Sequence, residues 1–451
     1  MKKGIFKAIV VLVLVTFIVM AVAACGTIGS GSDTTTAVQT AAETTAAPET
    51  EKAEPVSITV TTWSFGTDGT ASWWAQMVDG FKAKFGEQIK LDVQEIPGGN
   101  YDEKIKVLLS SDQLPDFLPN YGTPYIDLAG ADLEKKFVDL TPYFDANPEF
   151  KAQFDPATLA LNSRNGKIYG AASAKSMMGY FYNKELFAKA GITEPAKTWD
   201  EFWQDCDKLK AAGITALSID TEGWPTTLLA GAMIGSSGEE GKTFMTTPKP
   251  LDYNKPFIID AFKNIQIAFQ KYTSKDAVGN KYDQSASNFL TGKTAIFFNG
   301  PWMIPDFKDV NKSSADFDKK IGVAVYPGDT SYCAPGNGDY ICSKTKEKAD
   351  AAWQFMMFSK SLDQQVKALD LGGITPESPK IVLPDAVKQK MEIFVNLLEL
   401  ATNAKTHIND YGQWYPNVGE ELGKMYPELA LGKITPEDFC KRLTEAAQKN
   451  K

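Results

Sequence analysis

Short apolar runs alternate with amphipathic stretches over most of the chain. "SITVTTWSF" (Ser57–Phe65) and "IKLDVQEI" (Ile89–Ile96) show the period-two alternation of half-buried strands. Between them, apolar residues recur at helical spacing: Trp74, Met77, Val78, Phe81 and Phe85. A second helix is predicted over residues 101–110 and a short strand over residues 112–122. This order predicts a mainly parallel sheet covered by helices.

The second half of the chain repeats this rhythm. Residues 176–183 form a long apolar run typical of a strand, and a helix that ends at Gly191 follows it. Thr198 and Glu201 form a capping-box pattern at the start of the next helix. Thr435 and Pro436 open the last helix. Residues 56–447 are too many for one comfortable core, so the pattern predicts an α/β fold with two lobes.

The N-terminus has the layout of an export signal. Lys2, Lys3 and Lys7 precede an uncharged, largely apolar run from residue 8 to residue 24. The run ends in "VAAC", which resembles the lipobox of a lipoprotein, so residues 1–24 are predicted to be a signal peptide and Cys25 the lipidated residue. An uncleaved membrane anchor is the alternative, but the run is shorter than the ~20 residues of a membrane span. Both interpretations place the protein outside the cytoplasm.

Residues 25–55 are rich in Thr, Ala, Gly, Ser and Glu and are predicted to be a disordered tether. The whole chain carries a net charge of −9, which becomes −12 when the three lysines of the signal are removed. The mature part contains no block of basic residues. Nucleic acid and anionic lipid surfaces are therefore poor candidate partners.

Cysteine and histidine usage argues against several kinds of chemistry. The other cysteines, Cys206, Cys333, Cys342 and Cys440, show no C-x-x-C spacing, so a zinc site is not expected. Cys333 and Cys342 flank a glycine-rich turn, where they could either pair or remain thiols. A histidine-based triad or metal site would rest on one residue, His407. We predict no catalytic residues, no cofactor and no metal.

Four motifs occur in a fixed order after the tether: "NGKIYG" (165–170), "FYNKELFAKAGI.EPAKTWDEF" (181–202), "FLTGKTAIFFNGPWM" (289–303) and "GKITPEDF" (432–439). Together they resemble the family 1 extracellular solute-binding proteins of ABC importers, the group that includes maltose-binding protein. The resemblance covers nearly all of the chain after the tether. It implies a periplasmic-binding-protein-like fold, with two discontinuous α/β lobes and ligand held in a central cleft.

On that basis, lobe 1 is expected to comprise residues 56–174 and 337–380, and lobe 2 residues 175–336 and 381–451. The resemblance further implies a monomer that captures a carbohydrate, most simply an oligosaccharide, and delivers it to ABC permease subunits. The predicted lipid on Cys25 would hold it at the outer face of the cytoplasmic membrane.

A sugar site needs aromatic faces for the ring and polar groups for the hydroxyls. Trp302 follows the predicted strand 295–298 and an Asn-Gly-Pro turn, so it either plugs a core or forms a ligand wall. The resemblance implies a stacking tryptophan there. It implies the same for Trp224 in "DTEGWP", an edge carboxylate at Glu222, and a C-terminal aromatic at Trp414 or Tyr415.

The candidates in lobe 1 follow predicted strands or turns. Trp63 ends the first strand, and its aligned position is also compatible with the core. Asp68 is a candidate acceptor in the loop after that strand. Asn120 and Tyr121 follow the third strand and would form a polar and aromatic wall. Asp339 is a candidate carboxylate in "GNGDY". A simple turn aspartate is the alternative for Asp339. Some relatives carry an edge carboxylate just before the "YNK" strand, where this chain has Lys175 and Ser176, and Ser176 is a candidate contact there. Trp73, Trp74 and Trp353 lie in amphipathic patterns and are predicted to be core residues.

Two other functions use similar residues. A secreted glycoside hydrolase would need two facing carboxylates across the scissile bond, a separation that sequence does not reveal. A binding protein for a non-sugar solute, such as a polyamine or a peptide, would also use aromatic and acidic residues. The lipobox, the tether and the four motifs favour the carbohydrate-binding protein.

Overall fold

The computed structural model describes residues 54–66, 68–121, 123–172, 176–334, 336–378 and 380–450, with backbone alone for Ser176 and Ala334. Ala53–Lys451 forms one compact unit. The predicted signal peptide, Cys25 and all but the last two residues of the predicted tether lie outside the described residues.

The strands of the described part are β1 (Val56–Thr62), β2 (Ile89–Glu95), β3 (Phe117–Leu118), β4 (Ser163–Arg164), β5 (Lys167–Ile168), β6 (Gly170–Ala172), β7 (Ser176–Asn183), β8 (Thr215–Ser218), β9 (Thr294–Asn299), β10 (Ile321–Ala324), β11 (Thr330–Ala334), β12 (Gly338–Ile341) and β13 (Thr406–Ile408).

The α-helices of the described part are α1 (Ala71–Phe85), α2 (Gly98–Ser110), α3 (Tyr125–Leu128), α4 (Leu133–Lys136), α5 (Thr141–Ala146), α6 (Pro148–Lys151), α7 (Pro156–Leu161), α8 (Lys184–Lys189), α9 (Trp199–Ala211), α10 (Trp224–Gly235), α11 (Glu239–Thr246), α12 (Pro256–Lys271), α13 (Tyr282–Leu290), α14 (Phe317–Lys320), α15 (Lys346–Ser359), α16 (Leu362–Gly372), α17 (Asp385–Lys390), α18 (Glu392–Asn403), α19 (Pro416–Ala430) and α20 (Pro436–Gln448). Short 3₁₀ helices cover Gly130–Asp132, Pro301–Met303, Pro305–Lys308 and Tyr411–Gln413.

Sheet 1 contains five strands in the order β2-β1-β3-β12-β6. β1 pairs in parallel with β2 and β3, whereas β12 runs antiparallel to β3 and β6. The strand predicted over residues 112–122 is reduced to Phe117–Leu118. Pro115 and Pro119 flank this pair, and a proline lacks the N–H that would extend the ladder.

Sheet 2 has the order β13-β11-β7-β9-β8, with β10 also paired to β7. β7 runs antiparallel to β9, β10 and β11. The sheets are therefore mixed. The first three strands, β1, β2 and β3, pair in parallel as predicted, whereas β12 in sheet 1 and β7 in sheet 2 break the parallel pattern. β7 and β12 are the first strands after the chain crosses from one sheet to the other, and both run against their neighbours.

The chain moves between the two sheets more than once. It passes from β6 in sheet 1 to β7 in sheet 2, and it returns from β11 to β12. It leaves again after α16, which packs on α1, and reaches α18, which packs on β7, β10 and β11. Each sheet is thus built from separate stretches of the sequence.

Each sheet carries its own hydrophobic core. Trp74 and Trp353 are buried in a cluster with Phe81 and Phe355 beside sheet 1, and Trp73 packs against it, which confirms the predicted core positions. The largest cluster beside sheet 2 joins the apolar faces of α9, α10, α12, α19 and α20. Burial of this apolar surface is the main force that holds each layer together.

Local capping explains where two of the predicted helices begin. The Thr198 hydroxyl accepts the backbone N–H of Glu201, and the Glu201 carboxylate accepts the N–H of Thr198, so the predicted capping box is confirmed. Thr435 caps α20 by accepting the N–H of Asp438 at 3.1 Å. Both caps satisfy N–H groups that the helix itself leaves unpaired.

The cysteines of the described part do not form a disulfide. Cys342 is a buried free thiol, so it is not bonded to Cys333, and burial raises the pKa of the Cys206 thiol. His407 is an exposed residue of β13. Within the described ranges, no helix combines the length and the apolar character needed to cross a membrane.

Candidate ligand-binding site

Three aromatic side chains form a wall at one end of sheet 2. Trp224 is the first residue of α10, Trp302 lies in the 3₁₀ turn after β9, and Tyr411 lies in the turn before α19. The Trp224 ring centroid is 6.0 Å from that of Trp302 and 5.6 Å from that of Tyr411. We call these three residues the sheet-2 wall. Strand ends and helix starts place all three, as in other α/β ligand sites.

A hydrogen-bonded chain fixes the polar side of this wall. The Trp224 indole N–H donates to Asn299 Oδ1 at 3.2 Å, and Asn299 Nδ2 donates to the Tyr282 hydroxyl at 2.8 Å. The Tyr282 backbone N–H donates to Glu222 Oε2 at 2.8 Å. Glu222 is exposed, so its other carboxylate oxygen can accept a hydrogen bond from a ligand.

The Trp302 ring is half-buried and packs against both hydrophobic clusters of sheet 2. It lies so close to Gly300 that a Cβ there would be 2.2 Å from the indole ring, so only glycine permits this ring position. One part of Trp302 therefore closes a core, while the remaining surface faces Trp224.

Two glycines of sheet 1 let its loops approach the Trp302 turn. A Cβ on Gly69 would lie 3.3 Å from the Trp302 carbonyl oxygen, and a Cβ on Gly373 would lie 2.3 Å from the Pro301 carbonyl oxygen. Gly373 also has φ +63°, a conformation that favours glycine. The turn that carries Trp302 is thus wedged between elements that belong to sheet 1.

Sheet 1 carries an aromatic wall of its own. Trp63 follows β1, Tyr101 lies on α2, and Tyr121 follows β3. The Trp63 ring makes edge-on contacts with Tyr101 at 5.1 Å and with Tyr121 at 5.0 Å. Tyr121 is 46% exposed, and its hydroxyl approaches Gly98 so closely that a Cβ there would be 2.9 Å away. We call Trp63, Tyr101 and Tyr121 the sheet-1 wall.

A buried ion pair lies beneath the sheet-1 wall. Lys360 Nζ is 2.6 Å from Asp339 Oδ2, and the two side chains are 4% and 7% exposed. Asp339 Oδ1 accepts the backbone N–H of Asn120 at 2.8 Å. The Asn120 amide N–H₂ donates to the Thr123 carbonyl and to the Tyr340 hydroxyl. This network fixes the turn that presents Tyr121.

The two walls lie close to each other, and we call the space between them the cleft. Burial raises the pKa of Tyr121 to about 12, and carboxylates from both sides add to the shift, among them Asp68 of sheet 1 and Glu222 of sheet 2. Burial also raises the pKa of Tyr411, helped by Asp410 and by Asp102 on α2. Carboxylates of each sheet therefore interact electrostatically with a tyrosine of the other sheet across the cleft.

Ion pairs join the elements on either side of the cleft. Lys106 of α2 is 2.9 Å from Glu420 of α19, and Lys249 is 2.8 Å from Asp127 of α3. Asp127 also contacts Arg164 at 2.7 Å. These ion pairs hold elements of the sheet-1 layer close to elements of the sheet-2 layer.

Two of the predicted site residues do not face the cleft. Trp414 is 2% exposed and packs in the sheet-2 core, with ring centroids 5.1 Å from Tyr253 and 5.9 Å from Phe244. Its ring offers no surface to a ligand, so the expected contact at Trp414 is corrected to a core role. Asp339 is likewise committed to Lys360 and Asn120 and supports the wall from below.

The remaining predicted site residues differ in exposure and in hydrogen bonding. Tyr415 is half-buried beneath Lys249, whose Nζ is 5.9 Å from the ring centroid. Asp68 is exposed, and its Oδ1 accepts the N–H and the hydroxyl of Thr70 at 2.8 and 2.5 Å. The Asn120 side chain is used in the turn. The Ser176 side chain lies outside what the structure describes.

Sequence reasoning missed four residues of the site: Tyr101, Tyr282, Asn299 and Tyr411. Asn299 had a usable signal, since it is the last residue of a buried strand and directly precedes the Gly-Pro turn. Tyr411 lies three residues before Trp414 in "DYGQW", and the two rings contact each other at 6.3 Å, with Tyr411 next to Trp224 and Trp414 inside the sheet-2 core.

The candidate site offers aromatic faces and polar side chains. Within the ranges that the structure describes, no group of three or more His, Cys, Asp or Glu side chains is arranged to hold a metal ion. Aromatic faces, amide groups and carboxylates remain as the available contacts.

Comparison with curated proteins gives distant relatives. A putative binding protein of Brucella abortus is 26% identical over 267 residues, which cover 56% of this chain and 60% of that protein. The diacetylchitobiose binding protein DasA of Streptomyces coelicolor is 25% identical over 332 residues, 70% of this chain and 73% of its own length. The sn-glycerol-3-phosphate-binding periplasmic protein UgpB of Yersinia pseudotuberculosis is 27% identical over 274 residues, 58% of this chain and 60% of its own.

Solved structures resemble the whole compact unit. A chitin oligosaccharide binding protein matches with a TM-score of 0.70 and 23% identity, covering 88% of this chain and 99% of that one. Maltose-bound MalE3 of T. maritima matches with a TM-score of 0.71 and 19% identity over 88% of this chain and all of its own, 100%. The chain thus has the two-lobed fold of periplasmic sugar-binding proteins, as the sequence predicted. The bacterial extracellular solute-binding protein family matches residues 76–395, more than half of the chain, and the protein belongs to that family.

Proposed function

We propose that this protein captures a carbohydrate, most simply an oligosaccharide, between the two aromatic walls and delivers it to the permease of an ABC importer. The observation that carries the proposal is the pair of aromatic walls, with Trp224 and Trp302 beside sheet 2 and Trp63 and Tyr121 beside sheet 1. A sugar ring presents C–H faces to such side chains, and the exposed carboxylate of Glu222 can accept from its hydroxyls.

Two similar proteins support a sugar as the ligand: the diacetylchitobiose binding protein of Streptomyces coelicolor and a chitin oligosaccharide binding protein. Among the proposed ligand contacts we retain those that border the cleft: Trp63, Asp68, Tyr121, Glu222, Trp224, Trp302 and Tyr415. Tyr282 and Tyr411 join them on the strength of the geometry. Tyr101 and Asn299 are fully buried and support the wall residues through ring and hydrogen-bond contacts. Ser176 stays a sequence-based candidate.

We further propose that the protein is a monomer anchored outside the cytoplasm through a lipid on Cys25, after removal of residues 1–24. Residues 25–55 would then act as the tether. The discontinuous lobes expected from the sequence, 56–174 with 337–380 and 175–336 with 381–451, agree with the strand content of the two sheets. Ligand would bridge both lobes and shift the population toward the closed form.

The proposed function is tested on the compact unit, Ala53–Lys451, by tryptophan fluorescence and thermal shift. The probes are maltose, N,N′-diacetylchitobiose, longer neutral oligosaccharides, and spermidine as a non-sugar solute. We expect one of the neutral sugars to give a saturable fluorescence change and a raised melting temperature. A response to spermidine alone would favour the non-sugar alternative and contradict the carbohydrate proposal.

Trp302→Ala is expected to weaken that binding roughly thirtyfold, which corresponds to the loss of about 2 kcal/mol for an aromatic anchor. Trp203→Ala is the matched control, because Trp203 is also half-buried beside sheet 2 but stacks on Tyr272 at 5.8 Å. Isothermal titration of both variants measures the difference. Equal affinities in the two variants would show that Trp302 serves the core alone.

Lys249→Met tests closure. Loss of the pair with Asp127 removes attraction between the layers, while Arg164 still neutralises Asp127. Because Lys249 is 34% exposed, we expect an affinity loss of only two- to fivefold, about 1 kcal/mol or less, which shrinks further at high salt. Isothermal titration at two salt concentrations measures it.

Lys208→Met is the control for this prediction, since Lys208 pairs with Asp205 within one helix at 2.8 Å. If both variants bind alike and small-angle scattering shows no opening of the Lys249→Met protein, the ion pair does not stabilise closure.

Hydrolysis would distinguish a binding protein from the glycoside hydrolase. We expect the bound sugar to be recovered intact by chromatography after prolonged incubation with the protein. Release of shorter saccharides at a rate that Glu222→Gln lowers would contradict the binding-protein proposal.

A further inference from the structure

We propose that the cleft selects its ligand by charge: it accepts neutral and cationic sugars and rejects phosphorylated or carboxylated ones. The inference rests on the proposed function, because it concerns the ligand class of the same cleft. Its starting point is a pattern along the chain. Four of the aromatic residues at the cleft have an acidic residue within two positions: Tyr101 and Asp102, Trp224 and Glu222, Tyr282 and Asp283, Tyr411 and Asp410.

The structure brings several of these carboxylates to the cleft. Glu222 is held beside the sheet-2 wall by the N–H of Tyr282 at 2.8 Å. Asp102 faces the turn of the sheet-1 wall, where its Oδ2 accepts from the Thr123 hydroxyl at 2.6 Å. The loop of Asp68 and Gly69 approaches the Trp302 carbonyl, as the 3.3 Å contact of a Cβ at Gly69 shows.

Carboxylates from both sheets lie close enough to Tyr121 to raise its pKa. Its pKa is raised to about 12, first by burial and then by four carboxylates: Asp68, Asp102, Glu222 and Asp283. Two of these belong to segments of sheet 1 and two to segments of sheet 2. A ligand group placed beside the Tyr121 hydroxyl would therefore sense acidic residues on both sides.

Among the described residues, three basic groups near the cleft are paired with acidic ones. Lys312 Nζ lies 2.8 Å from Asp306 Oδ1, and Lys249 and Arg164 share Asp127 at 2.8 and 2.7 Å. Lys281, next to Tyr282, is exposed, where water and salt screen its charge.

The start of α10 is also unsuited to an anion. Helix N-termini bind phosphate through free N–H groups, but the Gly223 N–H before α10 donates to Asp220 Oδ1 at 2.9 Å. The buried Asp220 also accepts from the Ser285 hydroxyl at 2.6 Å. An acidic side chain thus already accepts one backbone N–H at this helix start and adds a negative charge beside it.

Charge repulsion of this kind acts strongly between two closing walls, since water and salt are displaced from the cleft. A neutral hydroxyl can instead donate a hydrogen bond to each carboxylate. We expect a phosphorylated or carboxylated sugar to bind at least tenfold more weakly than its neutral counterpart. The anion sn-glycerol-3-phosphate, named for one relative, should not bind this protein measurably at millimolar concentration.

The first test needs no ligand. Fluorescence of the ligand-free compact unit is quenched with iodide, with caesium and with neutral acrylamide, each normalised to free N-acetyltryptophanamide. The cleft contribution is the difference between the wild type and the Trp224→Phe/Trp302→Phe variant. We expect caesium to quench this contribution at least twofold more efficiently than iodide. Iodide quenching equal to or above that of caesium would overturn the inference.

Two variants test whether Glu222 and Asp283 cause the difference between caesium and iodide quenching. Glu222→Gln/Asp283→Asn should bring the caesium and iodide values closer together. Glu240→Gln/Asp260→Asn removes two exposed carboxylates from α11 and α12, which carry none of the wall residues, and should leave the ratio unchanged. An unchanged ratio in the first variant would show that Glu222 and Asp283 do not set the potential of the cleft.

The second test uses ligands. N,N′-diacetylchitobiose, its free diamine chitobiose, a galacturonic acid disaccharide and sn-glycerol-3-phosphate are titrated side by side with the neutral panel. Binding of an anionic probe as tight as that of any neutral sugar would overturn the inference. If no sugar binds at all, the proposed function fails, while the quenching comparison still decides whether the cleft rejects anions.

Discussion

Lys360→Met is expected to lower the free energy of unfolding by about 3–5 kcal/mol, because it leaves a buried carboxylate without its ammonium partner. Lys360 Nζ lies 2.6 Å from Asp339, and both side chains are almost fully buried. Carboxylates lose most of their hydration at such sites and depend on a nearby positive charge. Urea denaturation followed by fluorescence and by far-UV circular dichroism measures the loss.

Lys348→Met is the matched control. Lys348 also pairs with a buried aspartate of the sheet-1 layer, Asp116, at 2.9 Å, but Lys348 is 40% exposed. Asp116 keeps the hydrogen bonds from the N–H and the hydroxyl of Thr59, so removal of Lys348 should cost about 1 kcal/mol or less. Asp339→Asn/Lys360→Met should regain most of the lost stability, since the amide oxygen still accepts the Asn120 N–H. A loss no greater for Lys360→Met than for Lys348→Met would contradict a dominant role of this pair.

The buried ion pair shows what local sequence patterns could not predict. Asp339 lies in "GNGDY", which has the composition of a turn, and was considered either a ligand contact or a turn residue. Its actual partner is 21 residues away, at the end of α15. Nothing in the periodicity around Lys360 distinguishes a buried lysine from an exposed one, because the pairing depends on how α15 packs against sheet 1.

The aromatic walls were more predictable, because strand ends meet at one edge of a sheet. Trp302 after β9 and Trp224 after β8 were predicted from that rule and from the family resemblance, and the structure places their rings 6.0 Å apart. The discontinuous course of the chain came from the resemblance. Strand and helix periodicity by itself predicted sequential lobes with parallel sheets, since it carries no information on which strands cross.

For the C-terminal aromatic residues, sequence composition does not predict which ring is buried. Tyr411, Trp414 and Tyr415 share one polar, turn-like stretch, and composition does not decide which ring faces a ligand. Trp414 follows the 3₁₀ turn in an extended conformation, and its ring packs on Phe244 and Tyr253 as well as on Tyr411. Packing against the sheet-2 core therefore decides which ring is buried. Trp414 and Tyr415 were equal candidates from the sequence, and the burial of Trp414 favours Tyr415.

Trp414→Ala is expected to lower the free energy of unfolding by about 3–5 kcal/mol, the usual cost of truncating a buried tryptophan. Its ring is 2% exposed and contacts Phe244 and Tyr253, so the substitution opens a cavity in the sheet-2 core. Urea denaturation measures the loss. Because the cleft walls keep their own contacts, ligand affinity measured below the unfolding transition should change less than threefold.

Trp224→Ala should affect ligand affinity more than the free energy of unfolding. Trp224 is half-buried at the cleft, and its ring contacts Trp302 and Tyr411, so truncation removes ligand contact while it exposes less of the core. We expect a roughly thirtyfold weaker affinity with a stability loss smaller than that of Trp414→Ala. If Trp414→Ala instead weakened binding as much as Trp224→Ala while leaving the unfolding curve unchanged, Trp414 would have to reach the ligand in solution. Its assignment to the core would then be wrong, and the turn at Tyr411–Gln413 would have to rearrange when ligand binds.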